Sequence, residues 1–162
     1  MRYEIYQQVT ATFIDEQVAL QAWDFCGGLG MANSWVVTLD AAVDDSTLGK
    51  VVREGLSRAR RDPPEDEPRP EWGLVSKALG FRSEGALTRA GSLIVRVSRL
   101  DDIIKVRAQT TEWGGSSATT QNWRVTIDES SDDTTLGRAV REAREHCIPW
   151  RPRKRKVSGR AP

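Results

Sequence analysis

Histidine is nearly missing from this chain. Its 162 residues include one, His146, and only two cysteines, Cys26 and Cys147. A single histidine excludes a histidine-based metal site and any acid–base mechanism that needs two of them. Two cysteines make neither a disulfide framework nor a Cys-x-x-Cys motif. His146 and Cys147 are adjacent in sequence, but neighbours on a helix point about 100° apart, which argues against a nucleophile pair. There is also no run of 18 apolar residues, so no membrane-spanning helix is expected. The start, Met-Arg-Tyr-Glu-Ile-Tyr, lacks the apolar segment of a signal peptide. Together with the few cysteines, this makes a reducing cytoplasm the expected location. The stretch Phe25-Cys26-Gly27-Gly28-Leu29-Gly30 is glycine-rich, yet it lacks the Lys-Ser/Thr of a phosphate loop and opens no helix. Carboxylates are numerous, but none forms a motif that names a reaction. These absences assign no catalytic, cofactor-binding or metal-ligating residue, and the chain is not expected to be an enzyme.

What the chain does have is an internal repeat. Residues 34–58 and 122–146 share twelve of 25 positions at a constant offset of 88, among them Trp35/Trp123, Asp44/Asp132, Asp45/Asp133, Gly49/Gly137 and the Val-Arg-Glu triplets at 52–54 and 140–142. Two copies at so long a spacing do not make a solenoid. Trp35-Val36-Val37-Thr38-Leu39 is β-branched and aromatic and predicts a strand. Asp44 and Asp132 then have the position of helix N-caps. Val43 and Leu48 have the spacing of a hydrophobic staple, which Ser131 removes from the second copy. Leu48, Val52, Leu56 and Ala59 recur at helical steps, as do Leu136, Val140, Ala143 and Cys147. Gly49 and Gly137 fall in the first turns, where glycine costs ~1 kcal/mol relative to alanine. Both copies bear that cost, which points to close approach of each helix to another backbone. The Asp pairs read as caps and partners of the helix dipole, and His146, at the second helix's end, as a C-terminal dipole partner.

The remaining segments fill in an α+β domain over residues 1–148. Val9–Ile14 and Val18–Trp23 predict a hairpin turning at Asp15-Glu16-Gln17. Leu93–Val97 and Ile103–Val106 predict a second, turning at residues 99–102. Asp62–Pro70 holds four prolines and four acids in nine residues and must be an exposed linker or flap. Short helices are expected over Trp72–Leu79 and from a Ser83 cap to Ala90. Trp113–Gln121 reads as a polar loop. The sum is a sheet of about six strands, largely antiparallel, with the repeat helices packed on it. Residues 149–162 carry six cations and no acid, a basic tail expected to be flexible and dispensable for folding. The net charge of +1 therefore leaves −5 on residues 1–148. An acidic body suits a basic protein partner, although the same charge also serves solubility. Glu65, Asp66 and Glu67, clustered in the flap and outside the repeat, are the candidate partner-binding residues. The alternative is a nucleic-acid-binding or regulatory module that uses the tail, with Trp150 available to stack on a base.

Three blocks together resemble a known family. They are Ser34–Leu39 leading into Asp44-Asp45-Ser46-Thr47-Leu48-Gly49; Leu79-Gly80-Phe81-Arg82-Ser83-Glu84-Gly85-Ala86-Leu87 before the second hairpin; and Asp132-Asp133-Thr134-Thr135-Leu136-Gly137. Spanning roughly residues 33–147, they resemble the immunity proteins of bacterial contact-dependent growth inhibition systems, the CdiI family. The resemblance carries no catalytic signature. It implies a protein made in the toxin-producing cell that binds the cognate toxin domain, often a nuclease, and blocks it by covering its active site or an adjacent surface.

Overall fold

The computed structural model describes residues 7–119 and 121–153. In chain order its elements are β1 (Gln7–Ile14), β2 (Gln17–Cys26), β3 (Leu29–Asp40), α1 (Asp45–Arg58), α2 (Leu74–Ala78), α3 (Glu84–Arg89), β4 (Leu93–Leu100), β5 (Ile103–Ala108), β6 (Thr110–Glu112), β7 (Gly115–Ser117), β8 (Arg124–Asp128) and α4 (Asp133–Glu145). Six strands form one antiparallel sheet in the order β3-β2-β1-β4-β5-β8, and β6 pairs with β7 separately. The fold is α+β, as expected.

The alternation of the strands sends one set of side chains to each face. Val9, Ala11, Phe13, Val18, Leu20, Val95, Val97, Ile104 and Val106 are buried on the face that α1 and α4 cover. Leu48, Val52, Leu56, Leu136 and Val140 meet them there. Emptying one of these sites by a Leu→Ala change costs roughly 2–5 kcal/mol. On the other face, α2 and α3 bury a smaller cluster around Ile14, Ala19, Val75, Leu79 and Leu87.

The duplication runs further than the sequence repeat. Val18 pairs with Leu39 and Leu20 with Val37; Ile104 pairs with Ile127 and Val106 with Val125 in the same register. Both hairpins turn on an aspartate with positive φ, Asp15 at 50° and Asp101 at 51°, a conformation its side chain tolerates. Each half is thus a three-stranded meander followed by a helix, and β1 and β4 join the halves antiparallel at the centre. The copies diverge at the meander tips. In the first, β2 and β3 continue to a tight turn at Gly27-Gly28, with φ of 54° and 88°, so the glycine-rich loop narrows to two residues. In the second, the chain leaves the sheet after Ala108 and forms the β6–β7 hairpin where the sequence predicted a polar loop. The second hairpin also turns later than predicted, because β4 runs on to Leu100. Helix α2 is shorter than predicted, leaving Trp72 outside it.

The repeat helices lock the halves together. A Cβ on Gly49 would stand 1.8 Å from the Asp133 carbonyl oxygen, and one on Gly137 would stand 1.8 Å from that of Asp45. Each glycine therefore admits the first turn of the other copy's helix. Beside them, Arg53 donates from Nε to Asp133 (2.8 Å) and from Nη1 to the Glu129 carbonyl (2.9 Å), and also reaches the Ser131 carbonyl. Arg141 does the same in reverse, with Nε 2.7 Å from Asp45 and further bonds to the Ala41 and Val43 carbonyls. The arginine of each repeated triplet thus ties down the strand–helix loop of the opposite copy.

Candidate partner-binding surface

The expected caps are in place. Asp44 accepts from the Thr47 amide and Asp132 from the Thr135 amide, both at 2.7 Å. Their second members, Asp45 and Asp133, receive the crossed arginines. Both Asp pairs are thereby engaged in holding the fold.

His146 is the C-cap residue of α4, and its ring stacks on Trp123 with 5.3 Å between centroids and 2° between planes. The Cys147 thiol is partly buried and lies 3.1 Å from the Ile94 carbonyl. Burial pushes its pKa up, away from the reactive thiolate. Cys26 is a partly buried free thiol at the end of β2. Among the described residues no group of three or more His, Cys, Asp or Glu side chains could hold a metal ion.

The proline-rich segment is an exposed flap whose root is tied down. Phe25 donates its amide to the Arg60 carbonyl (2.9 Å), Asp62 returns one to Phe25 (2.8 Å), and the Gly27 amide donates to the Asp62 carboxylate (3.2 Å). The anchor beneath is Asp24, buried, which accepts from Asn33 Nδ2 (2.8 Å), the Arg60 amide (2.9 Å) and Arg60 Nη2 (2.7 Å). With this carboxylate fully satisfied, the β2–β3 tip and the flap root form one piece. Glu65, Asp66 and Glu67 are all exposed. Glu67 also pairs with Arg60 Nη1 at 2.9 Å, so part of its charge is answered within the chain. Glu65 and Asp66 make no ion pair among the described residues.

Sequence reasoning missed the apolar side of this region. Trp72, at the far end of the flap, is 97% exposed, and Leu29, just past the glycine turn, is 75% exposed. An indole that free is uncommon on a surface with no partner and typical of binding hot spots. Its signal was legible in the chain, a tryptophan next to a proline-acid run, but the helix pattern absorbed it. Contacts continue to the point where the body meets the basic tail. Ile148 bridges to Thr110, and the Trp150 ring lies 5.6 Å from that of Trp113. The residues from 154 onward lie outside the described part.

Comparison with known proteins adds a fold. No protein-family model matches the chain, and no curated protein matches it. The chain is similar in structure to a protein of unknown function, NMB0488, from Neisseria meningitidis, with a TM-score of 0.74, 16% identity, and coverage of 91% of this chain and 98% of that one. It is also similar to a chain of the CdiA-CT/CdiI toxin and immunity complex from Yersinia pseudotuberculosis, with a TM-score of 0.69, 13% identity, and coverage of 88% and 98%. The chain therefore has a fold found in a toxin–immunity complex, end to end in the matched chain. No helix among the described residues is long and apolar enough to cross a membrane.

Proposed function

We propose that this chain is an immunity protein that binds a cognate toxin domain and neutralises it stoichiometrically, without catalysis, in the cytoplasm of the cell that makes both. The observation that carries the reading is the fold shared with a chain of a toxin and immunity complex over nearly that chain's whole length, joined to the motif resemblance in the sequence. The surface supports it. The carboxylate pairs, the single histidine and Cys147 are engaged in caps, latches and packing. The exposed features are those of a binding face, namely an anchored acidic flap with Trp72 beside it.

The test is co-expression with candidate toxin domains, beginning with any toxin-like open reading frame found directly upstream. The chain should restore growth against one of them and form a complex with that domain. Replacing Glu65, Asp66 and Glu67 by serine should slow association and weaken its salt dependence. Trp72→Ala should instead speed dissociation, because an aromatic anchor acts on the bound state. Growth arrest that persists with every candidate in the presence of folded chain contradicts the proposal. Unchanged kinetics in both variants would move the binding face away from the flap.

A further inference from the structure

Residues 148–150, between α4 and the basic tail, cross the foot of the β6–β7 hairpin as a short strap. Two backbone bonds hold it there. The Ile148 amide donates to the Gln109 carbonyl (3.0 Å), and the Thr111 amide donates to the Ile148 carbonyl (2.8 Å). Pro149 has no N–H with which to add a third. None of the three residues is buried: Ile148 is exposed, and Trp150 leans on Trp113, which is itself mostly exposed. The ground on which the strap rests is held separately. The Gln109 amide donates to the Ile94 carbonyl (3.0 Å) and the Thr111 hydroxyl to the Ser92 carbonyl (3.1 Å). Trp113 lies against Gly85, with the Arg89 guanidinium 5.3 Å from its ring centre. Gln109, bounded by Ile94 on one side and the strap on the other, is fully buried. Neither its Nε2 nor its Oε1 has a hydrogen-bond partner among the described residues.

We infer that residues 148–150 are a strap that opens and closes over Gln109 while the sheet and helices stay folded, carrying the start of the basic tail between a docked and a released position. A hydrogen bond exchanged for one with water contributes little net, whereas a buried amide left unpaired bears its full desolvation cost. Closure therefore gains two modest bonds and one indole contact, and shuts water away from an unpaired amide. Opening gives that amide water. The opposing contributions are of similar size, so both positions are populated. Segments with exposed backbone bonds and few buried apolar contacts open in this way, well below the free energy of global unfolding. The hinge lies between Cys147 and Ile148. Upstream of it the chain is fixed: the Cys147 thiol bonds the Ile94 and Ala143 carbonyls, and His146 is stacked on Trp123. Downstream, Arg151 and Arg153 are exposed and move with the strap. The device is independent of what the chain binds.

Amide hydrogen exchange on the full chain, read residue by residue by NMR, tests it. The Ile148 and Thr111 amides should report one opening event, with the same protection factor and no response to low urea, because a local opening exposes little surface. The Gln109 amide, bonded on the other side to Ile94, should stay protected through that event and serves as the internal control. Gln109→Leu keeps the bulk and removes the unpaired amide. It should slow exchange at Ile148 and Thr111 by about tenfold, equivalent to about 1.4 kcal/mol. Trp150→Ala, a surface change that leaves the core intact, should speed exchange at both by up to about tenfold, the worth of an aromatic pair, with the denaturant midpoint unmoved. Protection at Ile148 and Thr111 equal to that of the Gln109 amide would make the strap part of the core and overturn the inference. Faster exchange in Gln109→Leu would show the amide satisfied by internal water in the closed form and overturn it too. Unchanged exchange in Trp150→Ala would contradict it independently of the first variant.

Discussion

Two glycines make the contact between the repeat helices possible. Glycine in a helix costs ~1 kcal/mol, and here it admits a carbonyl that any Cβ would strike at 1.8 Å. Gly49→Ala should therefore destabilise the chain despite its better helix propensity, by about 2 kcal/mol or more, since overpacking commonly costs 1–3 kcal/mol. Gly137→Ala should cost the same. The double variant should cost less than the sum, because helices already pushed apart accommodate the second methyl. Urea unfolding measures all three. A single variant within about 0.5 kcal/mol of wild type, the range of an ordinary surface change, would show that the helices part without penalty. The sequence shows that both glycines need a close neighbour, because both copies keep them. It does not show that the neighbour is the other copy. An offset of 88 says which residues are equivalent, not which ones touch. For the same reason the crossed arginines were invisible, since Arg53 meets Asp133 across 80 residues of chain.

At the scale of elements, the strand–helix junctions link stability to pH. The Asp44 carboxyl is held below its ordinary value of 3.8 by the Thr47 amide, and that of Asp132 by the Thr135 side chain and amide. A carboxyl whose pKa is lower in the folded state contributes stability above its ordinary value and loses it as the pH falls through the folded one. Acidification below 3.8 should therefore weaken both helix starts together. Asn caps a helix about as well as Asp but does not titrate. An Asp44→Asn/Asp132→Asn chain should thus show a shallower fall in stability below that pH, read by denaturant midpoints across an acid series. An unchanged slope would assign the acid sensitivity to other carboxylates. The caps, both α-helical repeat units and both predicted hairpins were legible because each has a local signal. The β6–β7 hairpin was not. Thr110–Glu112 and Gly115–Ser117 are polar throughout, so no alternation of apolar residues marks them. The flap was legible as exposed from its prolines, but its anchoring was not, because Asp24 and Arg60 come together only once β2 and the end of α1 are in place.

At the scale of the whole molecule, net charge concealed the organisation that matters. A body at −5 with a tail at +6 predicts an acidic domain with a basic appendage. The fold instead gathers acids on a flap and cations on a sheet face. Arg96, Arg107 and Arg124 look like ordinary outward-facing strand residues until the register aligns them. The duplication accounts for the rest of the architecture: two meander–helix halves share a central β1–β4 seam, with α1 and α4 latched across it. What distinguishes the halves is the flap with Trp72 after the first and the β6–β7 hairpin within the second. The central claim is that this chain acts by occupying a partner, not by turning anything over. Titrating purified chain into a fixed amount of the cognate toxin domain that co-expression identifies tests it most directly. Toxin activity should fall linearly and vanish at one equivalent, independent of incubation time. Activity that decays with time at a small fraction of an equivalent, or that persists in excess chain, would contradict it.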